Sequence, residues 1–198
     1  MKTPSFAAGE ARALVSLAVP MTGVALVNMG MSITDTVMMG WISPKALAAG
    51  AVVSDLYSIV FYFLGGILGA VSPLLAQALG AGRIEEVRPT LHNAFAAAAI
   101  IAVPAAACVI LAPVALVVLG VDRELIASAR GYTLGLALTV IPMIFATVWR
   151  HAFYAVGRPR VYLGAVLMLL PLNALADYLL MFGWGPIPAF GLAGAGFA

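Results

Sequence analysis

From Ala13 to Thr34 the chain carries no charged side chain, and Asp35 follows at once. A run of that length can cross a hydrocarbon core about 30 Å thick, because a helix rising 1.5 Å per residue needs about 20 apolar residues to do so. Inside lipid every backbone polar group must be satisfied by the protein itself, so only helices and closed barrels can span. Barrel strands would alternate polar and apolar residues over about 10 positions, and no such alternation is present. With 64% hydrophobic and 9% charged residues, the predicted class is all-α, a polytopic membrane helix bundle. Lys2 and Arg12 ahead of an apolar run invite a signal-peptide reading, but the run is too long and more of the same follows it. Cys108 stands in an apolar run and offers neither a disulfide nor a metal site.

Breaks at charge and Gly/Pro clusters predict spans at 13–39, 46–80, 91–119, 130–156 and 161–182, with a sixth opening at 191–198. The expected loops are 40–45, 80–89, 120–124, 157–160 and 183–188. The last segment ends after eight residues, so the expectation is five complete transmembrane helices, the start of a sixth, and an incomplete protein. Seven basic residues (Lys2, Arg12, Arg83, Arg88, Arg150, Arg158, Arg160) fall on one side of this topology and three (Lys45, Arg123, Arg130) on the other. Cytoplasmic loops are enriched in Lys and Arg, so the N-terminus is expected to be cytoplasmic.

That orientation places Asp35 and Asp177 in the outer half of the first and fifth spans, where they can be neighbours. A charge near the bilayer centre costs roughly 2.5–3.5 kcal/mol even on insertion scales, and such residues line interiors or ion paths. Asn28 lies seven residues before Asp35 and Asn173 four before Asp177, so each amide shares a helical face with its acid. Asp55, in the second span, falls at comparable depth. Clustered carboxylates with amide partners in a low-dielectric cavity suit a cation, H⁺ or Na⁺.

Six stretches in order resemble the N-terminal half of the multidrug and toxic compound extrusion (MATE) family: SITDTVMMG (Ser32 to Gly40) after an opening helix with Pro20, ALAAGAV (Ala46 to Val52), SPLLAQALGAGR (Ser72 to Arg83), AVGRPR (Ala155 to Arg160), PLNALADYLLMFG (Pro171 to Gly183) and GLAGAGFA (Gly191 to Ala198). The resemblance covers essentially the whole chain. It implies that residues 1–198 form the N-terminal transmembrane lobe of a twelve-helix, two-lobe transporter of the bacterial inner membrane. The implied activity is export of cationic or amphiphilic drugs against entering H⁺ or Na⁺. It also implies a missing C-terminal lobe as partner, the coupling ion in place of any cofactor, and no nucleic acid. By the same resemblance Asp35, Asn173 and Asp177 match the cation site, and Pro20 matches the bend of the first helix. Asp55 departs from the family pattern, and either enlarges the cation site or pairs with a basic group.

Bland readings stand beside these. The acids can snorkel to an interface, and the Asn residues can simply join helices. Met31 and Tyr57, with Met29, Met38, Met39, Phe61 and Tyr62, either line an adaptable cavity or contact lipid. Trp41 and Trp184 read as interfacial anchors. No strand precedes the Gly191–Ala198 glycines, which therefore suit close helix packing rather than nucleotide binding. His92 and His151 lack ligand partners at metal spacing. Two rival functions remain: a lipid-linked saccharide flippase, which would favour cationic cavities over acids, and an intramembrane aspartyl protease using the two acids. No nucleophile elbow, H-E-x-x-H or P-loop is present.

Overall fold

The computed structural model describes residues 5–198, with side chains from residue 9 onward, so Lys2 lies outside the described residues. Eight helices appear among them: α1 (Ser5–Ile42), α2 (Pro44–Leu68), α3 (Val71–Gly80), α4 (Ile84–Val118), α5 (Arg123–Ser128), α6 (Arg130–Ala155), α7 (Pro159–Phe182) and α8 (Leu192–Phe197). Five spans are long and apolar enough to cross a membrane, α2 and α3 together forming one of them.

Three local features differ from the sequence expectation. The second span is broken at Gly69 and Ala70. Pro73 has no N–H to give the Gly69 carbonyl, and Ser72 N reaches that carbonyl instead at 3.3 Å. Gly65, Gly66 and Gly69 weaken the helix at the same place, each by about 1 kcal/mol relative to Ala. Secondly, α4 starts at Ile84, inside the expected 80–89 loop, with Glu85 and Glu86 in its first turn, where the helix dipole favours acids. The helix then runs on through Pro89, Pro104 and Pro113, as spanning helices can when neighbours and local adjustments satisfy the freed carbonyls. Thirdly, the connection after Gly120 holds α5, capped by Asp122, whose carboxylate accepts from Glu124 N at 2.6 Å and Leu125 N at 3.3 Å.

Between α1 and α2 a single residue suffices, because Ser43 caps Ala46 N at 3.0 Å and Pro44 opens the helix. Leu163 and Leu170 of α7 seat over Gly23 and Gly30 of α1, where added Cβ atoms would meet leucine carbons at 3.1 and 3.7 Å. This repeat of seven on both helices means that they run parallel in constant register. Carried forward, the register sets Asp35 level with Leu175, two residues short of Asp177. Trp41 and Phe182, ring centroids 6.3 Å apart, mark the shared end of the pair.

The most extensive packing of long helices joins α4 to α6 and α1 to α7. A stripe of Ala98, Ala102 and Ala105 lets α4 close on Val140, Ile144 and Val148 of α6. The start of α8 wedges between α6 and α7. A Cβ on Gly135 would sit 2.3 Å from the Gly196 carbonyl, and one on Gly194 would sit 2.5 Å from the Leu180 carbonyl. The exterior is apolar, with Ile100, Val103, Val114 and Val118 exposed on α4.

Candidate functional site

Asp177 is 0% exposed, and neither of its carboxylate oxygens has a hydrogen-bond partner among the described residues. One oxygen of Asp35 and the side-chain oxygen of Asn173 are buried and unpartnered in the same way. Asp35 and Asp177 lie close enough to interact directly across the α1–α7 contact. Asn173 is one turn before Asp177 on α7. Buried polar atoms in native proteins are nearly always satisfied, and an ionised carboxylate can only accept. A concentration of buried oxygens left unpaired is therefore chemically incomplete. A proton shared between the acids, or a small hard cation held by their oxygens, completes it.

Two side chains that the sequence did not single out, Tyr132 and Ser54, complete the surroundings, together with Tyr57, which it did. Tyr132 of α6, 5% exposed, comes near both acids, and its hydroxyl is 2.7 Å from Ser54 Oγ of α2. Tyr57 of α2 approaches Thr139 of α6 and lies within range of Tyr132. These residues place polar groups from α1, α2, α6 and α7 around one volume. Hydroxyls recur at helical spacing on α6 as Thr133 and Thr147, both buried, but each donates back to its own helix, at 3.0 Å to the Ala129 and Met143 carbonyls. They are spent on the backbone.

The remaining expected residues lie elsewhere. Asp55 neither joins the buried cluster of Asp35, Asn173 and Asp177 nor pairs with a basic group among the described residues. It is exposed, because its neighbour Ser54 takes the inward face of α2. Asn28 is also exposed. Met31 is half-buried and packs with Val24, Val27 and Val166, lower on the α1–α7 seam. Pro20 is buried within α1, whose helical run continues through it. No group of three or more His, Cys, Asp or Glu side chains with metal-holding geometry occurs among the described residues.

At the α1/α7 end of the bundle, Lys45 and Glu124 form an ion pair tying the start of α2 to α5. Both side chains are more than half exposed.

Comparison with known proteins agrees with this architecture. The chain is 35% identical over 182 residues to the "Probable multidrug resistance protein NorM" of Bradyrhizobium diazoefficiens, an alignment that takes in 92% of this chain and 39% of that protein. Crystal structures of MATE in the bent and straight conformations superpose with TM-scores of 0.84 and 0.81 at 19% identity, each over 93% of this chain and 41% and 40% of theirs. The chain thus spans about 40% of the length of the curated relatives it matches. The five-span helical fold and a match of the MatE family profile to residues 20–179 establish that this membrane chain belongs to the MatE family.

Proposed function

We propose that the chain forms the N-terminal lobe of a multidrug exporter of the bacterial inner membrane, its N-terminus cytoplasmic, which drives cationic or amphiphilic organic compounds outward in exchange for entering H⁺ or Na⁺. The observation that carries the reading is the set of buried, unpartnered oxygens on Asp35, Asn173 and Asp177. Each charge moving down a 100 mV potential releases about 2.3 kcal/mol, and a site that must bind and then release the ion cannot be permanently satisfied by protein donors. The names of its relatives support multidrug efflux. The seven-to-three excess of basic residues supports the orientation.

Coupling requires that the ion bind two conformations unequally. Pro20 frees the carbonyl of Ser16, which gives α1 a place to bend when Asp35 changes its charge. Solved relatives in straight and bent conformations support such a motion. The flippase alternative gains nothing from the site, because no basic side chain joins the acids among the described residues. The protease alternative would use the same paired acids, and family membership favours transport.

The test is efflux of a fluorescent organic cation from energised cells or vesicles carrying the protein. Asp35→Asn and Asp177→Asn are each expected to abolish gradient-driven efflux at unchanged membrane expression. Wild-type efflux in both variants would sink the proposal, and peptide cleavage lost in both would favour the protease.

A further inference from the structure

At the opposite end of α6 a second polar cluster stands apart from the acids. Arg150 lies twenty residues beyond Arg130, about 30 Å along the helix axis and so one hydrocarbon thickness from it. It is half-buried and takes part in no ion pair among the described residues. An ion in such a setting needs a partner. Three further side chains surround it. His151 has a buried Nε2 without a hydrogen-bond partner and packs edge-on to Tyr154 at 6.3 Å. Tyr154 in turn meets Tyr162 of α7 edge-on at 6.2 Å. The guanidinium lies within range of both tyrosines. On the α2 side Gly65 adjoins the guanidinium, a Cβ there coming within ordinary contact, 3.9 Å, of an Arg150 terminal nitrogen.

This inventory is the reverse of the Asp35–Asp177 site. A five-donor guanidinium fork, two tyrosines and an imidazole neighbour one another with no carboxylate among them. Arg forks match phosphate oxygens in two-point hydrogen bonds, and a spacing of one hydrocarbon thickness from Arg130 suits Arg150 to a headgroup boundary. We propose that Arg150, His151, Tyr154 and Tyr162 form a phosphate-binding site at the α6–α7 end of the bundle. An anionic phospholipid headgroup and a soluble phosphate present the same chemistry to it.

Native mass spectrometry of the detergent-purified chain separates the outcomes. Wild type should retain phosphatidylglycerol in preference to diacylglycerol of the same acyl chains. Arg150→Gln should retain about tenfold less, the loss of a charge-assisted bidentate contact, while Arg160→Gln, which removes an exposed charge, should match wild type. If millimolar inorganic phosphate raises the melting temperature of wild type and not of Arg150→Gln, the ligand is a soluble phosphate; an Arg150 dependence seen only with phosphatidylglycerol makes it a lipid. Equal effects of the Arg150 and Arg160 changes, or no effect of Arg150→Gln with either source, overturn the site. Should Arg150→Gln lose its helical circular dichroism, the double variant Tyr154→Phe with Tyr162→Phe carries the test. Several-fold weaker retention is then expected, and unchanged retention overturns the proposal.

Discussion

The α4–α6 pair and the α1–α7 pair bury comparable seams by opposite means. Between α4 and α6 the buried cluster is aliphatic, from Ala98, Ala102 and Ala105 to Val140, Ile144 and Val148, flanked by the stacked rings of Phe95 and Phe145, and the contact rests on small residues and close dispersion packing. Between α1 and α7 the seam begins in the same style, with leucines seated over Gly23 and Gly30, and then turns polar at Asp35, Asn173 and Asp177. Lipid tails are as apolar as Leu, so a dry seam gains from fit alone, whereas a seam with unpartnered acids loses stability. The first kind of seam stabilises the fold, and on the proposed function the second is the one that changes state.

The sharpest way to break this comparison is Asp177→Asn. Its new amide can donate to Asp35 or Asn173, so alongside the loss of gradient-driven transport the melting temperature should hold or rise, by the equivalent of about 1 kcal/mol. A large fall in stability would mean that the acid seam is structural. Gly135→Leu should be the most damaging change to the fold. Its side chain would drive into the Gly196 carbonyl, backbone that cannot step aside, and a loss of about 3 kcal/mol or more should appear as poor recovery of monodisperse protein. Ala98→Leu, at a position 0% exposed in the dry seam, should lower stability by about 1–3 kcal/mol without selectively affecting ion coupling, and differential scanning fluorimetry with efflux at matched expression checks both. The smallest effect belongs to Lys45→Ala. The exposed pair with Glu124 is worth about 0–1 kcal/mol, and any difference from wild type should vanish in high salt.

The spans were legible because length and charge alone determine which segments lipid accepts, and Asp35 and Asp177 stand out against apolar neighbours. Their proximity followed from topology, since the first and fifth spans run the same way. Tyr132 and Ser54 were not legible: a tyrosine in an apolar helix also reads as a lipid or interface residue, and only the meeting of α2 with α6 shows its hydroxyl turned inward. Asp55 misleads for the same reason. Its depth is comparable to that of the other acids, but depth does not give azimuth, and a single position on α2 separates the inward Ser54 from the outward Asp55. The short α5 escaped because its six residues lie below the scale on which hydropathy varies, although Asp122 carried its cap signal.

The interruption at Gly69 divides one crossing between two neighbourhoods. Upstream, α2 lies against α1 as well as α4 and α6, while α3 lies against α4 and α6. The backbone bonds spanning the break include Ala70 N to the Ile67 carbonyl at 3.5 Å and Ser72 N to the Gly69 carbonyl at 3.3 Å, long by the standard of a regular helix. In the currency of amide exchange this is the soft link of the second crossing: deuterium should enter at residues 70–72 sooner than at helical amides on either side. On the proposed function, motion of α1, which packs on α2, would be taken up at this link while the aliphatic α4–α6 seam stays closed.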